Sequence, residues 1–157
     1  VVTLRKALLF PGEIEALVDL GHGLTTEVWW SPSHPFASSL TKQSAKQLAD
    51  AYEAGARKQW TQPIGFAHAL FEIAANALAR SKSLKNTDVR DAIAATNLQT
   101  VVGPVKWGGQ GPFRNVSKTP LVLGQWVKGS GKYRYDLVIV NNEAFRQIPA
   151  GAQLKAM

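Results

Sequence analysis

Histidines, tryptophans and two glycine clusters are the residues of this chain whose types could do chemistry. His22, His34 and His68 lie far apart, and none has another histidine at i+4, the spacing that sets two ligands on one helix face. They form no metal motif, and His68, inside an apolar helical stretch, reads as a hydrogen-bonded core residue. Gly129-Ser130-Gly131-Lys132 invites a phosphate-loop reading, but that motif needs a glycine where Trp126 stands and a Ser or Thr where Tyr133 stands. It reads instead as a flexible hairpin tip. Gly108-Gly109-Gln110-Gly111 lacks the dinucleotide spacing and has no strand–helix unit around it. No Gly-x-Ser-x-Gly elbow and no distinctive carboxylate pair exist. With no cysteine, thiol nucleophiles, thiolate metal sites and disulfides are excluded together. The residues offer no catalytic constellation, so neither an enzyme nor a cofactor or metal is expected.

The tryptophans carry more information. Trp29-Trp30 ends a short β-rich run just before Pro32, and Trp60 stands in Lys58-Gln59-Trp60-Thr61-Gln62-Pro63, directly ahead of a long helical stretch. Strand ends and helix starts are where α/β proteins place ligands. An aromatic there can stack on a flat solute, with Thr61 and Gln62 fixing its orientation. Packing is an equal account of Trp60 and the better one of Trp107 and Trp126.

These candidates must be positioned by a chain of 157 residues, 45% of them hydrophobic and 18% charged, which suffices for one domain or two small pieces of a larger one. The net charge is +7, but the cations are scattered or paired, as in Arg5-Lys6 and Arg57-Lys58, and never form a stripe with interleaved aromatics. A nucleic-acid partner is therefore not expected, whereas an anionic small ligand suits a basic surface. No apolar run approaches the ~20 residues of a membrane span. The chain opens on Val1 with no basic–apolar leader, which predicts a removed leader or a start within a longer protein.

Along the chain, residues 1–10 read as a buried strand, 13–20 as a short helix and 25–30 as a second strand, the rhythm of a parallel α/β sheet. Helices follow over 44–54, stopped by Gly55, and over 63–80, with Phe66, Leu70, Ile73, Ala74, Ala77 and Leu78 on a broad face expected to be buried. A third helix over 88–96 is expected to be capped by Asn86 or Thr87. From Thr100 the pattern becomes extended, with short pieces at 101–102 and 103–107. Residues 121–127 and 133–140 then form a hairpin, before a polar tail that wraps the surface. The helices present more apolar face than two short strands can cover, so the chain looks like part of something larger.

Gly103-Pro104-Val105-Lys106-Trp107, placed after helix-loop-helix and ahead of Gly124-Gln125-Trp126, resembles the C-terminal part of solute-binding proteins of the branched-chain amino acid ABC transporter type. Residues 60–80 look like that family's long helix and 24–32 like one of its interlobe strands. The resemblance covers nearly all of this chain and less than half of a family member. It implies an α/β fold, a fragment of the two-lobe type I periplasmic binding protein. Residues 1–28 would then end the second lobe, 29–120 would hold the hinge crossing (Trp29, Trp30) and helices returning to the first lobe, and 121–157 the closing strands and tail. It also implies a periplasmic protein that works with a membrane permease and with a preceding N-terminal part of the same protein.

The family sets an aromatic at the start of its long helix against the ligand, which falls on Trp60 or Thr61, beside Gln62. Its amino-acid binders hold the ammonium with a carboxylate, and an ungapped match puts Leu9 there, flanked by Leu8 and Phe10. A buried ammonium without its carboxylate is prohibitively costly, so this apolar slot implies an organic, plausibly aromatic, carboxylic acid. A register shift that brings Glu13 or Glu15 into reach restores a branched-chain or other amino acid. A ligand-sensing domain of the same fold is the alternative to transport.

Overall fold

The computed structural model describes residues 4–5, 8–109 and 111–156. Its main sheet has four strands in the order β1 (Leu4–Arg5), β2 (Thr25–Val28), β5 (Val122–Lys128) and β6 (Tyr135–Asn141). β1 and β2 are parallel, with Leu4 opposite Thr25, and the connection between them carries α1 (Pro11–Ala16) and a 3-10 turn over Val18–Gly21. The strand–helix–strand rhythm is therefore present, although the helix is shorter than expected. Of the rest of the expected first strand, residues 8–10 are not strand but lead into α1, with Leu8 at φ 71°, and residues 1–3 and 6–7 lie outside the described residues. β5 returns antiparallel to β2, pairing Val122 with Val28, and hairpins into β6 through the glycine-rich tip over 129–134.

Between β2 and β5 the chain leaves the sheet to build a second unit from α2 (Ala45–Ala56), α3 (Pro63–Arg80), α4 (Asn86–Ala94) and a two-stranded hairpin, β3 (Asn97–Thr100) with β4 (Gly103–Lys106). Ser44 caps α2, its side chain accepting from the Gln47 N–H at 3.2 Å while the Gln47 side chain accepts from the Ser44 N–H at 2.9 Å. The helix does not stop at Gly55. A lone glycine costs only about 1 kcal/mol in a helix, and the last turn closes instead at Arg57, which takes the left-handed conformation at φ 56°. Nor does a side chain cap α4: Lys85 holds the N-cap position with no side-chain bond, and the start is steadied by Ser83, which accepts from the Lys85 N–H at 3.2 Å.

The expected burial of α3 holds for Ala77 and partly for Phe66 and Ile73, and fails for Leu70, Ala74 and Leu78. The residues it turns inward are Gly65, Ala69, Glu72 and Ala77, while Leu70 is 68% and Leu78 50% exposed, and Phe71 beside them is 70% exposed. The helix is apolar on most of its circumference: its small residues, with Ile64, Phe66 and Ile73 half-buried beside them, meet the rest of this chain, and Leu70, Phe71 and Leu78 stand outside.

Residues 101–102 are likewise not a strand. They are the two-residue tip of the β3–β4 hairpin, with Gly103 at φ +104°. Val101 and Val102 are buried because the tip plugs into the helical core. Their polar backbone is met there by the Thr100 hydroxyl, which accepts from the Val102 N–H at 3.3 Å, and by the buried Glu72 carboxylate, which accepts from the Val101 N–H at 2.9 Å. The other Glu72 oxygen accepts from the Ser39 hydroxyl at 2.7 Å, so one carboxylate ties two loops to α3.

Two cores result. Over the sheet, Ile14, Val28, Val122, Trp126, Tyr135, Leu137, Ile139 and Ile148 pack together, and among the helices Trp30, Ala45, Ala49, Ala69, Val101, Val102 and Val105 do. Trp60 packs against both.

Candidate functional site

The segment joining α2 to α3 is fixed to the sheet unit by its glutamines. Gln62 is fully buried; its Oε1 accepts from the Trp29 N–H at 2.7 Å and its Nε2 donates to the Glu27 carbonyl at 3.0 Å. Gln59 Nε2 donates to the Tyr135 carbonyl at 2.9 Å. Residues 59–62 are thereby held at β2 and β6 at once. Between them Trp60 gives its N–H to Glu53 at 3.2 Å and meets Trp30 edge-on, ring centroids 6.0 Å apart. Trp29 leaves β2 to meet Phe66 of α3 in the same T-shaped manner, at 6.1 Å.

Beside this joint lies a cavity of about 360 Å³, within the range of small-molecule sites, lined by Phe10, Pro11, Gly12, Glu15, Tyr52, Lys58, Gln59, Thr61 and Tyr133. It sits where the start of α1 and the end of the β5–β6 turn face α2 and the 58–61 segment. Its walls mix three aromatic rings, one carboxylate, one ammonium and several neutral polar groups. The Lys132 ammonium lies against Tyr133, 4.9 Å from its ring centroid.

Of the residues singled out in the sequence, the cavity brings together Phe10 and Thr61. Leu8 packs against the sheet core, and its carbonyl accepts from the Trp126 indole at 2.9 Å. Leu9 is half-buried, outside the lining. Trp60 fills the joint between the two cores, and Gln62 spends both ends of its amide on the backbone of Glu27 and Trp29. Trp30 is sealed in the helical core, where an added Cβ on Gly65 would stand 2.3 Å from its ring. Glu15 lines the cavity, whereas Glu13 turns back to accept from the Phe10 N–H at 3.3 Å. Sequence reasoning passed over Tyr52, Lys58, Gln59 and Tyr133. Lys58 and Gln59 adjoin the tryptophan that was noticed, and Tyr133 follows the glycine-rich tip directly.

The histidines stay apart. His34 is 3% exposed, its Nδ1 set 3.1 Å from the Ser31 N–H, and burial pushes its pKa down to about 4. His68 Nε2 lies 2.7 Å from the Ser38 hydroxyl, as a core histidine should. Among the described residues no group of three or more His, Asp or Glu is placed to hold a metal, and no helix is long and apolar enough to cross a membrane.

No protein-family model matches the chain, and no curated protein does. Solved structures do. A leucine-, isoleucine-, valine-, threonine- and alanine-binding protein from Brucella ovis, in its closed conformation, is 15% identical with a TM-score of 0.69, covering 99% of this chain and 40% of that one. The leucine-binding protein LivK of Thermotoga maritima is 17% identical with a TM-score of 0.66, over 90% of this chain and 37% of that one. An ABC transporter solute-binding protein from R. palustris in complex with benzoate is 14% identical with a TM-score of 0.59, over 98% of this chain and 38% of that one. These neighbours are binding proteins rather than enzymes, and the chain spans about two fifths of their length. At such identities the likeness is one of fold: this chain has the architecture of part of a two-lobe type I periplasmic binding protein, taking in pieces of both lobes and the crossings between them.

Proposed function

We propose that the chain is part of the solute-binding component of an ABC uptake transporter, capturing a small organic, plausibly aromatic, carboxylic acid in the periplasm for a membrane permease. The observation that carries this reading is the cavity at the joint, which pairs the Phe10 ring with Thr61, Gln59 and Lys58 from the far side of the crossing. Phe10, with Leu8 and Leu9 behind it, supplies the apolar wall. Thr61 and Lys58 supply hydrogen bonds and charge, and Trp60 and Gln62 hold the crossing formed by Trp29 and Trp30. No chemistry is performed; the solute biases an equilibrium between open and closed lobes. The residues ahead of this segment in a two-lobe protein supply the opposing wall.

The magnitudes define the test. Burying ~200 Å² of ring and side chain yields about 5 kcal/mol, while micromolar binding needs about 8 kcal/mol, so donors from the opposing wall supply the difference. Calorimetry with benzoate is expected to give micromolar binding to a two-lobe protein ending in this segment and binding at least tenfold weaker to the 157 residues alone. Equal affinity in the two would overturn the reading. A second reading, an amino-acid solute, is favoured by the Glu15 carboxylate in the cavity wall. It requires leucine to outcompete benzoate and Glu15→Gln to remove that advantage.

A further inference from the structure

The sheet unit carries a second cavity, of about 370 Å³, beside the start of β2 and the end of β5, and it shares no lining residue with the one at the joint. Leu20 of the 3-10 turn, His22, Val127 and Lys128 of β5, and Lys155 of the tail stand in its wall. Each part of that wall is fixed. Val18 takes φ 50°, a left-handed conformation that a β-branched residue enters only under constraint, and the Tyr135 hydroxyl constrains it by donating to the Val18 carbonyl. The turn so held presents Leu20 at 74% exposure. The Lys128 N–H donates to His22 Nδ1 at 3.1 Å, which makes Nδ1 the acceptor and sets the ring proton on Nε2. The buried Gln125 amide clamps the tail. Its Oε1 accepts from the Lys155 N–H at 3.2 Å, and its Nε2 donates to the Lys155 carbonyl at 2.7 Å and the Gly23 carbonyl at 2.8 Å.

The charges in the wall are unequal. The Lys128 ammonium is spent on Asp19, 2.9 Å away, and that contact, with Arg134 near it, holds the Asp19 carboxyl below the ordinary carboxylate range. The Lys155 ammonium pairs with no acid among the described residues. Two ammoniums against one carboxylate leave the lining at +1, with His22 Nε2–H as a further donor and the side chains of Leu20 and Val127 as apolar surface. His22, Leu20 and Lys155 are all exposed, so an incoming molecule reaches them.

From this arrangement we infer a second binding site, for a small carboxylate with an apolar body. The carboxylate accepts from His22 Nε2 and Lys155 Nζ, and the body covers Leu20 and Val127. A bare anion leaves the apolar surface wet, and a neutral molecule leaves the Lys155 charge unmatched. Every group involved lies on the sheet unit, so the site stands whether or not the joint cavity holds the solute.

The test is protein-observed NMR on the isotope-labelled 157-residue chain, with hexanoate, inorganic phosphate and hexanol as probes. Hexanoate is expected to shift the amide signals of Gly23, Lys128 and Lys155, leave those of Lys58 and Gln59 in place, and bind with a Kd of about 1 mM. Phosphate and hexanol are each expected to bind about tenfold more weakly. Lys155 holds the tail through its backbone, so Lys155→Ala keeps the fold. It is expected to weaken hexanoate about fivefold, and Lys155→Arg to restore it. Leu20→Ser changes a side chain that already stands mostly in water, and is expected to weaken hexanoate about threefold with phosphate unchanged. His22→Asn keeps an acceptor for the Lys128 N–H and removes Nε2, for an expected loss of about threefold. If phosphate matches hexanoate and Leu20→Ser changes nothing, the wall is an unselective cationic surface and the inference fails. It fails equally if hexanoate at about 20 mM moves none of the three amides, or if Lys155→Ala binds it undiminished. Shifts at Lys58 and Gln59 instead would place hexanoate at the joint, overturning this site and leaving the solute reading intact.

Discussion

Trp126, Tyr135, Ile14 and Ile148 fill the core over the sheet at 0–1% exposure, whereas the helical core is built from alanines and valines around the single large ring of Trp30. Leu48, Ile64, Phe66 and Ile73 close that core only in part, and other large side chains of the unit are 42–81% exposed: Leu70, Phe71 and Leu78 on α3, Leu84 on the connector and Ile93 on α4. In one unit, then, the chain supplies both walls of its core, and in the other it supplies one. A helix apolar on both sides belongs in the middle of a layered structure, between its own neighbours and a sheet. That is the position such helices hold in two-layered lobes, and it accords with a chain that spans about two fifths of its structural neighbours. Trp60 and the glutamines beside it join the self-sufficient unit to the open one.

The contrast is broken most severely at Trp126. Truncation to Ala empties the sheet core and removes the indole bond to the Leu8 carbonyl, for an expected loss of about 4 kcal/mol in denaturant unfolding. A loss under 1.5 kcal/mol would mean that the sheet core is no better filled than the helical one.

Next in size is a pH effect at His34, in the loop after β2 and beside Phe36. His34 has a folded pKa of about 4, below the ordinary 6.5, because burial penalises its cation. The unfolded chain therefore takes up the proton first. The contribution is complete above about pH 6.5 and is lost as pH falls toward 4, amounting to about 3 kcal/mol. His34→Asn keeps an acceptor for the Ser31 N–H and removes the titration. The difference in stability between the two chains, followed from pH 7 to pH 4, should grow in the variant's favour; a constant difference would show that His34 is solvated.

Gly65→Ala probes the close approach between α3 and the segment that follows β2, since its Cβ would meet the Trp30 ring at 2.3 Å. Overpacking of this kind costs about 2 kcal/mol, and the same change at exposed Gly12, where a Cβ meets nothing within 4 Å, is the control. Arg57→Gly works in the opposite direction. The left-handed C-cap of α2 favours glycine, so the variant should gain about 1 kcal/mol, read as a rise in Tm.

Much of this was legible in the sequence where pattern and packing agree. The parallel β1–β2 pair, the β5–β6 hairpin and the helices α2 and α3 follow from periodicity and turn residues that their surroundings reinforce. What was not legible depended on partners distant in sequence. Val101 and Val102 have the side chains of a strand yet form a turn, because Glu72, far behind them, meets their backbone and the helical core covers their methyls. Leu70 and Leu78 have the spacing of a buried face, but spacing does not say which chain segment does the burying. At the candidate site, attention fell on Trp60 because it is large. Phe10 and Thr61 do line the cavity, but Tyr52, Gln59 and Tyr133 join them only through contacts distant in sequence, as where the Tyr135 carbonyl fixes the Gln59 amide. No local motif signals such a wall.

The smallest expected change in stability gives the sharpest reading of the two units. Replacing Leu70 and Phe71 together by Gln alters two large apolar side chains, the kind of change that unfolds a small domain when they are buried. Here both side chains already stand mostly in water, so the unfolding free energy of this chain should move by no more than about 0.5 kcal/mol. The measurement is denaturant unfolding at low protein concentration, paired with sedimentation velocity at high concentration, where loss of the apolar face should reduce self-association. In a two-lobe protein ending in this segment, the same double variant should cost several kcal/mol, because the opposing layer then covers the face. A large loss in the 157 residues alone would mean that α3 is already covered by its own chain, and the distinction between a closed and an open core would disappear.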